Sequence, residues 1–199
     1  MIDVDEREAT RLAVLERFGK LALAPAEESG FGVGPTSAKQ LGYDATTIDA
    51  LPPACTESFA GVGNPLIIGA LAPGETVVDF GSGAGLDAVL AARAVGASGQ
   101  VIGIDMTPAM VEKARANARA LSLENVRFET ADLEAVPVRS GSADVVISNG
   151  VFNLCHDKAA VAAEMRRVLA PGGRLQIADM LLEAHVSQEE LAELGTWSD

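Results

Sequence analysis

Residues 77–85 read Val77-Val78-Asp79-Phe80-Gly81-Ser82-Gly83-Ala84-Gly85 and carry the strongest structural signal in the chain. The apolar first half predicts a buried strand over residues 76–80, and the alternating glycines predict a tight turn with positive φ. A helix over about residues 86–94 is expected next, because alanine and leucine dominate there. This order of strand, glycine turn and helix is typical of a nucleotide-binding unit.

The spacing of these glycines separates two kinds of ligand. A dinucleotide turn requires G-x-G-x-x-G, whereas here Gly85 comes one residue early and Leu86 stands in the sixth place. The spacing therefore counts against NAD. Asp79 would be unfavourable beside a pyrophosphate, but a carboxylate there suits a cationic amine or its bound water.

The regular part of the chain, from residue 72 onward, alternates β-rich runs with alanine-rich helical runs, which is typical of βαβ units. Five parallel strands are predicted, over residues 76–80, 100–105, 126–130, 143–148 and 174–179. Helices are predicted from Pro108 with Thr107 as the N-cap, and from Asp157 to about residue 169. Ser187 and Glu190 form a capping-box pattern that predicts a last short helix.

Residues 1–71 are irregular apart from a helix predicted over residues 7–23, since glycine and proline are dense there. We expect this segment to be a lid and residues 72–199 to be the ligand-binding domain. Phe18, Phe31 and Phe59 are candidate apolar contacts in the lid, although ordinary packing explains them equally well.

Composition excludes several classes of protein. With 28 acidic and 15 basic side chains the formal charge is −13, which would repel a phosphate backbone, so nucleic acid is not an expected partner. No apolar run approaches about 18 residues, and no membrane association is expected. Cys55 and Cys155 are the only cysteines, which excludes a disulfide scaffold or a zinc cluster and favours a reducing cytoplasm.

The ends of the second and third predicted strands carry further carboxylates. Asp105 is placed to accept the hydroxyls of a ribose, and Asp132 to accept an exocyclic amino group. Met106 and Leu133 offer apolar faces to a purine. Each residue alone is equally consistent with a helix cap or a solvated loop. With Asp79 they predict an S-adenosylmethionine site.

These segments resemble class I S-adenosylmethionine-dependent methyltransferases, which implies a Rossmann-like parallel α/β sheet. Within that superfamily, Gly63-Asn64-Pro65, residues 105–108 and residues 147–149 with Asn153-Leu154 resemble the arsenite methyltransferase family, and the resemblance runs from about residue 18 onward. It implies that the cofactor is bound by Asp79, Gly81, Ser82, Gly83, Gly85, Asp105, Met106, Asp132, Leu133 and Asn149, with Gly63 and Asn64 closing over its methionine end.

The sequence departs from the arsenite methyltransferase pattern at its cysteines. Arsenic(III) is soft and is held by thiolates. Val62 and Gly150 stand where members of the family carry cysteine, and clustered N-terminal cysteines are missing. Cys55 and Cys155 are the remaining candidates for a thiolate pair.

The resemblance also implies seven strands, of which the last two cover the fifth; only five are visible in this sequence. Either the chain is a truncated product, or the N-terminal segment, the final helix or another subunit covers the fifth strand. An oligomer formed through this uncovered sheet edge is one expectation.

Four functions remain open at this stage. The first is a small-molecule methyltransferase of arsenite-methyltransferase type with another acceptor, and the second is a true arsenite methyltransferase that uses Cys55 and Cys155. The others are a quinone-type C-methyltransferase and a cofactor-binding protein with weak or no turnover. No catalytic base or metal site is assigned, because His156, the only histidine near a strand end, also fits a solvated loop position.

Overall fold

The computed structural model describes residues 4–28 and 31–181, without the side chains of residues 4–7. The predicted capping box at Ser187 and Glu190 lies outside the described residues. The helices are α1 (Val4–Leu23), α2 (Gly34–Gln40), α3 (Ala45–Asp49), α4 (Pro53–Thr56), α5 (Leu86–Val95), α6 (Pro108–Ala120) and α7 (Lys158–Val168). The strands are β1 (Thr76–Phe80), β2 (Gln100–Asp105), β3 (Val126–Thr130), β4 (Ala143–Asn149) and β5 (Leu169–Ala178).

The strands form one parallel sheet in the order β3-β2-β1-β4-β5. The chain moves outward from β1 through β2 to β3, and then returns to the other side of β1 for β4 and β5. The strand order therefore reverses beside β1, and in open α/β sheets ligands bind at the carboxyl ends of the strands at such a point. The predicted Rossmann-like parallel sheet is confirmed.

The fifth strand begins earlier than the sequence predicts. Leu169 already pairs with Ala143, but the register then shifts, so that Arg174 is the next residue to pair, with Val145. The residues between them, Pro171-Gly172-Gly173, accommodate the shift, because glycine and proline suit a bulge rather than a regular ladder. The predicted start at residue 174 is therefore wrong, although the turn residues that suggested it do interrupt the pairing.

The two faces of the sheet bury different helices. Val77 packs with residues of α5 and α6, including Val95 and Val111, whereas the next residue, Val78, packs with Met165 of α7 on the opposite face. This alternation follows from the two-residue side-chain period of a strand. Both faces of β1 are consequently buried, which fixes the position of the turn that follows it.

The N-terminal segment packs onto the same core. Leu21 of α1 shares a buried cluster with Met110 of α6, and Lys113 of α6 donates to the carbonyl of Ala22 at 3.0 Å and to Glu57 at 2.6 Å. Residues 4–28 and 31–71 therefore form a wall against α5 and α6. The predicted division of the chain at residues 71 and 72 stays a prediction.

β5 occupies one edge of the sheet, and part of the N-terminal segment packs on it. The buried Gln176 donates to the carbonyls of Pro65 at 2.8 Å and Gly69 at 2.9 Å. Leu175 remains 46% exposed. An oligomer through this edge stays a prediction. In the described part of the chain, no helix is long and apolar enough to cross a bilayer.

Candidate active site

A pocket opens at the carboxyl ends of the strands, at the point where the strand order reverses. The turn after β1 forms its floor, the ends of β2 and β4 and the loop after β3 form its sides, and α1 and α4 close it from the N-terminal segment. The predicted site residues that line it are Gly81, Ser82, Gly83, Asp105, Met106, Asp132, Leu133 and Asn149. The structure therefore brings eight of the twelve predicted residues to one cavity; Asp79, Gly85, Gly63 and Asn64 lie outside its lining.

Two glycines of the turn are required by its geometry. Gly81 has a φ of +77°, and a Cβ atom there would lie 2.3 Å from the side chain of Val151. Gly83 has a φ of +50°, and no protein atom lies within 4 Å of the place where its Cβ would be. Gly83 therefore leaves its backbone open to the pocket, which permits a ligand to approach the main chain closely.

Asp105 is fixed at the end of β2 by two backbone donors. Its Oδ2 accepts from the N–H of Gly83 at 2.9 Å, and its Oδ1 accepts from the N–H of Thr107 at 2.8 Å. Burial raises the pKa of Asp105, against the opposing effect of the hydrogen bonds from Thr107 and Gly83. Because each carboxylate oxygen keeps a further lone pair, Asp105 retains acceptors for ribose hydroxyls.

Asp79 lies behind the pocket wall. It is only 2% exposed, and its Oδ2 has no hydrogen-bond partner among the described residues. Burial, followed by the charges of Asp87 and Asp105, raises the pKa of Asp79 well above its ordinary value. The predicted contact with a cationic amine requires Asp79 to be exposed to the pocket, and it is not.

A second buried carboxylate, Asp87, does line the pocket, in the first turn of α5. The hydroxyl of Tyr43 donates to its Oδ1, and Asn149 Nδ2 donates to its Oδ2 at 3.1 Å. Burial raises the pKa of Asp87, while the hydrogen bonds from Tyr43 and Asn149 act in the opposite direction. Burial and the neighbouring Asp87 raise the pKa of Tyr43, so its hydroxyl keeps its proton.

Asn149 connects this network to the loop before β1. Its Oδ1 accepts from the N–H groups of Val62 at 2.9 Å and Gly63 at 3.1 Å, and its Nδ2 donates to Gly63 O at 2.8 Å. Asn64 instead donates to Gly42 O at 3.2 Å and accepts from the N–H of Leu66. Gly63 and Asn64 thus support the wall from behind, and their predicted contact with the cofactor stays a prediction.

The mouth of the pocket carries an ion pair that the sequence did not suggest. Arg11 Nε of α1 lies 3.4 Å from Asp132 Oδ1, and both side chains are substantially exposed. Leu133, the next residue, is buried and contributes an apolar wall. Gly85 packs away from the cavity, since a Cβ there would lie 2.9 Å from Phe128.

Apolar side chains also line the pocket. They include Phe18 of α1, Phe59 and Leu154, and both cysteines, Cys55 and Cys155, lie in the same lining. Burial raises the pKa of the Cys155 thiol to about 12, and burial also raises the pKa of Cys55. The described residues hold no cluster of three or more His, Cys, Asp or Glu side chains suited to a metal ion.

The aromatic residues predicted for the lid divide between two roles. Phe18 and Phe59 line the pocket, whereas Phe31 packs behind Phe18 with the ring centroids 6.5 Å apart. His156 also lines the pocket and is partly exposed. No residue is assigned as a general base by this arrangement.

The sequence did not identify three residues of the site, which are Arg11, Tyr43 and Asp87. Asp87 had a usable signal, because a residue in the first turn of the helix after the glycine turn must lie near the strand ends. Tyr43 and Arg11 had none, since they reach the site only through the packing of the N-terminal segment.

The cavity fits S-adenosylmethionine in its chemistry. The open backbone at Gly83 permits a ligand to approach closely. The carboxylates of the buried Asp87 and the half-buried Asp105 suit a ligand that carries an ammonium group and a ribose. Buried Ser82 Oγ lacks a partner among the described residues, which leaves a polar atom for a ligand to satisfy.

Comparisons with known proteins agree with this description. A family model described as a methyltransferase domain matches residues 71–198. An arsenite methyltransferase of Halobacterium salinarum is 40% identical over 198 residues, which cover 92% of this chain and 50% of that protein. A demethylmenaquinone methyltransferase of Thermus thermophilus is 40% identical over 104 residues, covering 52% of this chain and 46% of that protein.

A solved structure gives a similar result. The arsenic(III) S-adenosylmethionine methyltransferase of Chlamydomonas reinhardtii superposes with a TM-score of 0.56 at 44% identity, covering 61% of this chain and 43% of that chain. The present chain thus spans about half the length of the curated relatives that it matches.

Proposed function

Because this chain belongs to the family of S-adenosylmethionine-dependent methyltransferases, we propose that it transfers the cofactor's methyl group to a small molecule. The observation that supports this most is that one pocket combines two kinds of lining. An open glycine backbone and carboxylates line it together with apolar side chains and thiols. The polar groups suit a charged nucleoside, and the apolar groups and thiols suit an acceptor.

The chain's own residues bind the reactants, orient them and exclude water. S-adenosylmethionine, when bound, would supply a methyl group on a positively charged sulfur; an acceptor lone pair would form a bond to the methyl carbon, and the electron pair of the broken carbon–sulfur bond would go to sulfur. Asp105 orients the nucleoside end, since backbone donors fix its carboxylate. The apolar side chains of Phe18 and Phe59 exclude water from the parts of the pocket that they line. Holding the reactants at near-attack distance lowers the barrier.

The acceptor that this pocket favours is small and carries its own lone pair. A thiolate or a metalloid needs no general base, whereas an oxygen or carbon acid does. The two cysteines in the pocket lining favour a soft, small nucleophile, with the cofactor-binding protein of low turnover as the contrasting alternative.

A second candidate is methylation of arsenite itself. Two findings favour it. Cys55 and Cys155 both line the pocket, and the chain is 40% identical to an arsenite methyltransferase. Val62 and Gly150 still stand where the resemblance implies cysteines. The identity to a demethylmenaquinone methyltransferase keeps quinone-type C-methylation as a further alternative.

Product formation separates these candidates. The chain is incubated with S-adenosylmethionine and either arsenite with thiol, a thiol alone, or a demethylated quinone, and S-adenosylhomocysteine is quantified. The proposal expects turnover with at least one acceptor. Cofactor binding without turnover on any acceptor would support a binding protein instead. Arsenite methylation that is lost in both Cys55→Ser and Cys155→Ser would support thiolate ligation, and methylation that persists in the double variant would contradict it.

We also infer a reducing, cytoplasmic location and no nucleic-acid partner. The free cysteines support the first inference, and the formal charge of −13 supports the second.

A further inference from the structure

We propose that Asp87, rather than Asp79, accepts the ammonium group of the cofactor's amino-acid tail, and that Tyr43 holds the Asp87 carboxylate in position. The inference rests on the proposed function, because it assumes that S-adenosylmethionine is the ligand. It concerns which carboxylate of the site makes the contact.

The location of the two carboxylates distinguishes them. Asp87 lies in the first turn of α5, immediately after the glycine turn, and lines the pocket. Asp79 lies within β1 and is outside the pocket lining. Both side chains are buried, with 2% of Asp79 and 7% of Asp87 exposed. A ligand in the cavity therefore meets Asp87 first, and the wall separates it from Asp79.

The distribution of charge points the same way. Asp79, Asp87 and Asp105 interact electrostatically, and like charges this close in a buried site cannot all ionise. The Asp79 carboxyl group receives a hydrogen bond from the backbone of Ala88, but its Oδ2 has no donor among the described residues and burial is the largest effect on it, so the proton is best placed on Asp79. Asp87 receives donors from Tyr43 and Asn149, which stabilise its ionised form. The negative charge that a cation would meet is therefore on Asp87.

Tyr43 acts as a positioning residue. It is 5% exposed, donates its hydroxyl hydrogen to Asp87 Oδ1 and accepts from Asn149 Nδ2 at 3.0 Å. Its ring packs edge-on against Phe59, with the centroids 5.2 Å apart. Because the ring is fixed, the carboxylate that it holds is also fixed, and the remaining lone pairs of that carboxylate are left for a ligand.

A comparison of two ligands tests the inference by titration calorimetry. S-adenosylhomocysteine carries the amino-acid tail, whereas 5′-methylthioadenosine has the same nucleoside without it. We expect Asp87→Asn to weaken binding of S-adenosylhomocysteine by about 10- to 100-fold, because a charge-assisted contact is lost, and to change 5′-methylthioadenosine by less than about threefold. Asp79→Asn should weaken S-adenosylhomocysteine clearly less than Asp87→Asn does.

Two further variants complete the design. Asp49→Asn removes the same charge from an exposed position on α3, where the side chain is 64% exposed, and serves as the matched control with both affinities unchanged. Tyr43→Phe removes one donor to Asp87 and should weaken S-adenosylhomocysteine by about 3- to 10-fold while sparing 5′-methylthioadenosine. A merely structural role for Tyr43 would weaken both ligands together.

The outcomes are distinct. If Asp87→Asn binds S-adenosylhomocysteine as tightly as the unmodified chain, or if Asp79→Asn loses more affinity, the inference is overturned. If the unmodified chain binds neither ligand, the proposed function itself fails. Should Asp87→Asn not fold, as judged by its thermal transition, the ligand ratio in Tyr43→Phe decides: equal losses for the two ligands would refute the inference.

Discussion

Replacement of Asn149 by alanine is the perturbation with the largest calculable effect on this site. The side chain accepts two backbone hydrogen bonds, from Val62 and Gly63, and donates to Gly63 O, Tyr43 and Asp87. Asn149 is 9% exposed, so most of these partners would lose a bond in a poorly hydrated place. The substitution therefore disconnects the loop before β1 from the network that orients Asp87.

The magnitude follows from the hydrogen bonds that are lost. Each neutral bond contributes about 0.5–1.5 kcal/mol net, and a bond to a charged group contributes about 1.5–3 kcal/mol. The bonds share partners, so their contributions are not additive. We expect Asn149→Ala to lower the free energy of unfolding by about 2–4 kcal/mol and to weaken S-adenosylhomocysteine binding at least about tenfold.

Urea unfolding and titration calorimetry measure the two effects. Asn125→Ala is the matched control, because Asn125 donates to the carbonyls of Ala92 and Gly96, both at 2.9 Å, and does not line the pocket. This control should lose stability but keep its affinity for the ligand. A loss of less than about 0.5 kcal/mol in Asn149→Ala, with unchanged affinity, would refute the role assigned to the network.

Three other predictions concern single residues. Asp105→Ala should weaken cofactor binding by about 1–3 kcal/mol in calorimetry and also lower stability, since the N–H groups of Gly83 and Thr107 lose their acceptor; unchanged values of both would remove Asp105 from this role. The pKa of Asp79 is raised in the folded state, so its contribution to stability is complete below about pH 4 and is lost as pH rises through the folded pKa. Asp79→Asn should therefore show a smaller decline in unfolding free energy with rising pH than the unmodified chain, and identical slopes in urea unfolding would contradict this. The raised thiol pKa values of Cys55 and Cys155 predict that both react with Ellman's reagent at neutral pH at least about tenfold more slowly in the folded chain than in urea, and equal rates would refute it.

Much of the fold was predictable because the pattern of strands is strongly periodic. The bounds of β1, β2 and β3 agree with the sequence prediction, since β1 and β2 are mostly apolar and β3 alternates apolar with polar residues, which are both strand patterns. The start of β5 was not predictable. Pairing begins at Leu169, before the bulge at Pro171-Gly172-Gly173, and that early pairing depends on the neighbouring strand β4. The proline and glycines indicate an interruption, but they do not show that pairing with β4 begins before it.

The site was predictable only where its residues follow a strand. Gly83 and Asp105 lie in one pocket because parallel strands bring their carboxyl ends to the same edge. The prediction named Asp79 on the strand and missed Asp87, which lies in the first turn of the helix after the glycines. Tyr43 reaches the site through long-range packing of the N-terminal segment, which no local pattern encodes.

Titration calorimetry of the unmodified chain with S-adenosylmethionine, S-adenosylhomocysteine and NAD, in parallel, tests the central claim most directly. If a nucleoside with an amino-acid tail occupies the pocket between the strand ends and α1, the first two ligands should saturate a single site and NAD should give no binding heat. Saturation by NAD alone, or by none of the three, would contradict the assignment of this pocket.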